Sequence, residues 1–164
     1  MKRKNIHRVM IINLSAMIAA LYVVLTAIAN AMGLANQTIQ VRFSEALCSF
    51  AFFTPAAVPG LTIGCFLSNL ILTGSPLDII FGTLATFIGA LGGYYLRKNK
   101  WLITLPTVLA NTVIIPFVIY FGFGDTTWAL PIVAIFIFIG EFISATVLGT
   151  GLLAILKRYN FKLK

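Results

Sequence analysis

The sequence predicts an all-α integral membrane protein: a single domain built as a six-transmembrane-helix bundle, with both termini on the cytoplasmic side. Three observations predict it. First, 60% of the 164 residues are apolar and only 10% are charged, more apolar surface than a soluble domain of this size can bury. Second, the cations gather in three clumps: Lys2, Arg3, Lys4 and Arg8; Arg97, Lys98 and Lys100; and Lys157, Arg158, Lys162 and Lys164. Cytoplasmic ends of membrane helices collect Lys and Arg, so all three clumps belong inside and each successive pair is separated by an even number of crossings. Third, the apolar runs between them are cut by proline and glycine in places that yield six pieces. The net charge of +8 does not point to nucleic acid, because the cations are neither interleaved with aromatics nor spread along one helix face.

After a basic tail at 1–8, the first helix is predicted over 9–32. The "ANA" at 29–31 imitates a signal-peptide cleavage site. The apolar stretch before it, however, has the roughly 20 residues of a full span rather than the roughly 7–15 of a signal core, so it is read as a retained helix. The loop "GLANQTIQVRF" follows at 33–43. The chain must then return inward by one or three crossings, and "TPAAVPG" and "TGSP" favour three. The predicted helices are 44–53, 59–72 and 77–96, the first of them short enough to be re-entrant or strongly tilted. Beyond "RKNK" a fifth helix runs over 101–121, and beyond "GFGDTTW" a sixth runs over 129–156. Trp101, Trp128, Tyr94, Tyr95 and Tyr159 fall at the expected interfaces.

Small residues recur at packing spacing: Ala16 and Ala20; Gly60, Gly64 and Ser68; Gly89 and Gly93. They suit close contact within the bundle or, above all on the first helix, docking of another membrane protein. Cys48 and Cys65 have no partner at metal-ligand spacing and read as packing residues, so no metal site is expected.

Charges inside a membrane cost about 3 kcal/mol each on insertion scales, so those retained need a reason. Arg42, Glu45, Asn69, Asp78, Asn111 and Glu141 are the candidates. On the predicted topology all of them fall in the outer half or at the midplane, which implies a polar pocket open to the outside with Glu141 and Asn111 at its floor. Local explanations compete. Ser44 could cap the second helix with Glu45 in its first turn, Arg42 could meet lipid headgroups, and Asp78 could be a first-turn acid. Asn69 and Asn111 could simply bridge helices. No cap or interface accounts for Glu141 in "IFIFIGEFISATV", and Ser144 shares its face three residues on. No catalytic set, nucleotide-binding loop or cofactor motif is present, and the single histidine, His7, lies in the basic tail. Active transport would therefore draw on a partner or a coupling ion, and a self-contained secondary transporter or channel with Glu141 carrying a proton is the competing reading.

The segments "VRFSEAL", "FFTPAAVPGLTIGCFLSNL", "LDIIFGTLATFIGALGGYYLR" and "GEFISATVLG" resemble the QueT family. These are queuosine-precursor S components, the substrate-binding subunits of energy-coupling-factor (ECF) transporters. The resemblance implies a non-enzymatic, multi-pass subunit of a bacterial plasma membrane that captures a 7-deazaguanine or queuine from outside. It also implies an ECF transmembrane coupling subunit docking on Ala16 and Ala20, two cytoplasmic ATPase subunits, and a lid at 33–43. For such a ligand, Glu141 is expected to accept the ring N–H and exocyclic amine, with Glu45 or Asp78 meeting a cationic substituent. Asn69, Asn111 and Gln40 would read the carbonyl and ring nitrogens, with Ser144 helping Glu141. Phe50, Phe53 or Phe142 would stack, and Arg42 would pair with Glu45 or hold the lid shut.

Overall fold

In the computed structural model the chain is described over residues 2–34, 40–122, 124 and 127–159. Residues 35–39 of the loop expected as a lid, together with Asp125, Lys162 and Lys164, lie outside the described residues. Six helical segments follow in order: α1 (Lys2–Ala31), α2 (Phe43–Phe52), α3 (Ala57–Leu72), α4 (Asp78–Leu96), α5 (Leu105–Phe121) and α6 (Leu130–Arg158). The described residues contain no strand. Three helices are long and apolar enough to cross a membrane: α1 over Asn5–Ala31, α4 and α6.

The helix boundaries follow local chemistry. α1 begins at Lys2 rather than at 9, so the expected basic tail is helical and continuous with the apolar stretch. α3 begins at Ala57 and carries Pro59 in its first turn, where a missing N–H costs nothing. α5 starts later than the expected 101, with Pro106 in its first turn. Pro116, inside α5, removes a ladder donor, and the next turn at Val118–Gly122 widens to π spacing. Two more π turns occur, at Asp78–Gly82 in α4 and Phe142–Leu148 in α6.

α2 is a 3₁₀ helix of 10 residues. At about 2.0 Å per residue it is about 20 Å long, short of the roughly 30 Å hydrocarbon layer. Eight consecutive residues, from Ser44 to Ala51, are buried. A helix buried all round is an interior element, and here α1, α3, α4 and α6 enclose it.

The bundle is held by close backbone approaches. α1 presents Ser15, Ile18, Ala19, Tyr22, Thr26 and Ala29 inward at helical spacing. A Cβ on Gly60 would lie 2.9 Å from the Ser15 carbonyl oxygen, and one on Gly64 would lie 2.6 Å from the Tyr22 Cβ. Ser15 Oγ donates to the Ala56 carbonyl at 3.0 Å, tying the α2–α3 turn to the same seam. At Gly89 and Gly93 the intruding atoms belong to Thr107 and Ile103. Ala16 and Ala20 are exposed on the opposite face of α1.

Candidate functional site

The intramembrane charges converge on α2. The lead-in segment 40–42 crosses α6 so closely that a Cβ on Gly140 would overlap the Gln40 carbonyl oxygen. The Arg42 backbone N–H donates to Ser144 Oγ at 3.1 Å, and Ser144 Oγ donates to the Gly140 carbonyl at 2.8 Å. Arg42 Nη2 lies 3.4 Å from Gln40 Oε1, at the long limit of a hydrogen bond. The Val41 N–H donates to the Leu34 carbonyl at 3.1 Å, so the two ends of the loop are clasped at its base.

Glu45 is 2% exposed, and its Oε1 accepts a hydrogen bond from the Tyr22 hydroxyl of α1. One turn further along α1, Thr26 Oγ1 donates to Ser44 Oγ at 2.9 Å. The expected Ser44 cap is absent: the residue at the start of α2 makes no side-chain cap, and the Ser44 hydroxyl is engaged by Thr26 instead. Tyr22 was not a candidate from sequence. It sits mid-span rather than at an interface, yet a phenol on a buried helical stripe needs a partner, and that signal was present in the spacing from Ser15 to Thr26.

Asp78 is buried and opens the π turn of α4. Asn69 Nδ2 donates to the Asp78 carbonyl at 3.0 Å and lies 3.5 Å from Cys65 Sγ. Gly82 leaves room for this group, since a Cβ there would be 2.8 Å from Asn69 Nδ2 and 3.3 Å from Asp78 Oδ1. The strongest electrostatic attraction on the Arg42 guanidinium comes from Asp78, with Glu141 also in reach. Arg42 acts on Glu45 as well as on Asp78, while the Tyr22 hydroxyl bonds the Glu45 carboxylate. The added partners are tertiary: α1 and α4 bring groups that local spacing cannot show.

Glu141 closes the cluster. It is 7% exposed and immediately precedes the π turn of α6. Asn111 of α5 hydrogen-bonds its carboxyl, while Oε2 is buried with no hydrogen-bond partner. Arg42 and Glu45 both act electrostatically on it. A buried carboxylate oxygen left without a donor is costly, by about 1–3 kcal/mol or more, unless a donor arrives.

The structure thus brings Arg42, Glu45, Asp78 and Glu141 together, with Gln40, Asn69, Asn111 and Ser144 bonded to members of the group. Formally this sets three acids against one cation. In place of the expected open pocket, the described residues form an enclosed cluster, because segment 40–42 lies across α6 and Glu45, Asp78 and Glu141 are all buried. The aromatic candidates are separate. Phe50 belongs to the apolar core with Leu47, Ala57 and Leu61. It lies five residues beyond Glu45, about 10 Å along a 3₁₀ axis. Phe53 packs edge-on against Phe52, and Phe142 is 46% exposed on the outer face of α6. Among the described residues no group of His, Cys, Asp and Glu could hold a metal.

Comparison with known proteins gives two matches. The family model described as QueT transporter matches residues 12–158. The chain is 40% identical over 73 residues to the queuosine precursor transporter QueT of Lactococcus lactis subsp. cremoris, an alignment covering 44% of this chain and 43% of the relative. The aligned part is thus under half the length of the curated relative. No solved structure matches.

Proposed function

The chain belongs to the QueT transporter family, and from that premise we propose that it is the substrate-binding S component of an ECF importer, capturing a queuosine precursor from outside. The observation that carries the reading is Glu141 Oε2, a buried carboxylate oxygen without a donor in a cluster of net negative formal charge. A 7-deazaguanine ring presents a ring N–H beside an exocyclic amine, the donor pair a carboxylate accepts most strongly. Asn111 steers the Glu141 carboxyl so that Oε2 is the oxygen offered. Asp78 and Glu45 outnumber Arg42, so the cationic aminomethyl deazaguanine suits the site better than the neutral cyano form.

Six crossings with both termini inside remain the proposed topology, with α2 a short interior segment that is completed by its flanking turns. Segment 40–42 is the proposed hinge end of the lid: opening it would break the contacts at Gly140 and Ser144 and expose Glu141. The outward Ala16 and Ala20 are the proposed docking face for the coupling subunit, with two ATPases below it. If Glu141 instead carried a proton for a self-contained transporter, uptake would be independent of ATPase subunits.

The test is calorimetry on the detergent-purified chain with aminomethyl deazaguanine, cyano deazaguanine, queuine and the nucleoside. Saturable binding that favours the aminomethyl form and collapses in Glu141→Gln is expected. No binding by any of the four, or equal binding by the variant, would overturn the assignment.

A further inference from the structure

The chain has 12 Lys and Arg residues against four acids, and their placement is lopsided. Arg42 sits with Glu45, Asp78 and Glu141 inside the bundle. Asp125, the fourth acid, belongs to the α5–α6 connection, at the far end of α5 from Lys100. The remaining 11 cations are all in the three clumps, at the start of α1, between α4 and α5, and at the end of α6 and just past it. Among the described residues that end of the bundle therefore carries no acid, and its countercharge is left to a partner molecule.

Two of these cations meet at a groove. Lys100, from the α4–α5 connection, and Lys157, from the last turn of α6, both line a cleft of about 510 Å³ together with Trp101, Val147, Thr150, Gly151, Leu153 and Ala154. Lys157 Nζ stands 3.8 Å from the Phe52 ring centroid and Lys100 Nζ stands 5.1 Å from that of Trp101. Each ammonium is thus held on one side by an aromatic face, and its N–H groups turned away from the ring remain for an anion. The opposite wall is apolar: Val147 is exposed, and Gly151 leaves open space where a Cβ would stand.

We propose that this groove is a binding site for one anionic phospholipid, its phosphate between Lys100 and Lys157 and an acyl chain along Val147, Gly151 and Ala154. A free phosphate would leave the apolar wall uncovered, and a neutral chain would leave the lysines unmatched. A phosphodiester lipid with a net negative headgroup satisfies both, as basic clefts between helices on the cytoplasmic side do elsewhere. Trp101, 64% exposed at the rim, has the amphipathic ring suited to headgroup depth.

The experiment titrates dioctanoyl phosphatidylglycerol, dioctanoyl phosphatidylcholine and glycerol 3-phosphate into the full chain in neutral detergent, read by native mass spectrometry and thermal shift. The expected result is a saturable single adduct with the glycerol lipid, at least tenfold weaker with the choline lipid, and none with glycerol 3-phosphate. Lys100→Gln/Lys157→Gln should weaken binding at least tenfold, and Lys157→Arg should retain it. Gly151→Phe, which fills the apolar wall without touching charge, should weaken it comparably while the lipid-free melting temperature holds. Equal binding of the two lipids, or indifference to both the charge and the Phe substitutions, would overturn the proposal. So would glycerol 3-phosphate binding as tightly as the lipid, which would leave only a bare anion site.

Discussion

The α1–α3 seam and the crossing of segment 40–42 over α6 beside Glu141 are both packed backbone to backbone, but they differ in what is left over. At the seam, Gly60 and Gly64 lie against Ser15, Ile18 and Tyr22, and the Ser15 hydroxyl is satisfied, its one proton shared between the Ile11 and Ala56 carbonyls. Around Glu141 the helix turns widen to π spacing and a buried carboxylate oxygen is left without a donor. The first region has one good arrangement, and the second has an interaction still to make. A binding protein needs both, since a fixed frame sets the positions from which unmatched groups reach a ligand.

Breaking the frame should give the largest effect. Gly64→Val puts a branched side chain where a single Cβ already meets Tyr22 Cβ at 2.6 Å and the Ala19 carbonyl at 3.0 Å. About 3 kcal/mol of stability or more should be lost, seen as a fall in melting temperature in detergent. Glu141→Gln should do the reverse. Affinity for the aminomethyl deazaguanine should drop by about 100-fold, or ~2.7 kcal/mol, while melting temperature holds or rises because a buried charge has gone. If both variants changed stability alike, the division between frame and site would be wrong.

Tyr22→Phe sharpens the comparison, because Tyr22 belongs to both regions: its ring backs Gly64 and its hydroxyl reaches Glu45. Losing only the hydroxyl should lower affinity about tenfold with a melting-temperature change smaller than that of Gly64→Val, as calorimetry and thermal shift would read. Thr26→Val, which removes the neighbouring bond to Ser44, should leave affinity within about twofold. The smallest effect on binding should come from Ala16→Leu/Ala20→Leu. These residues face outward, so ligand affinity should be unchanged while uptake in cells carrying the proposed coupling and ATPase subunits is lost.

Much of the frame was legible because proline and glycine mark it directly. The breaks at Pro55, Pro59 and Pro76 divide the second to fourth helices, and the small-residue rows on α3 and α4 lie at real crossings. The faces of α1 were legible only from its few polar residues and its small-residue pair, not from hydrophobicity. Almost every residue from 9 to 28 is apolar, so hydrophobicity cannot say which stripe turns inward. Ser15 and Ala19 enter the seam while Ala16 and Ala20, one residue on and about 100° round, face out.

In the site, Glu141 could be singled out because a mid-span carboxylate has no local excuse. The partners of Arg42 and Glu45 could not, since they come from α4 and α1 and depend on the fold. The 3₁₀ form of α2 left no composition signal, being a tertiary outcome of enclosure. Of the π turns, the one in α5 follows Pro116, and the other two contain no proline.

Two of the three π turns begin at or directly after a buried acid, Asp78 and Glu141. A π turn is an α-helix holding one residue more than its register needs. Deleting a single residue within 142–148 other than Ser144 would let α6 close up into an ordinary helix with its two ends in their present register, so that only side chains inside the turn, Ser144 among them, would be re-aimed. In comparing members of this family, a one-residue gap at this point would thus be a change of binding chemistry written as a change of length. Alignments that score only the identity of the acids would pass over it.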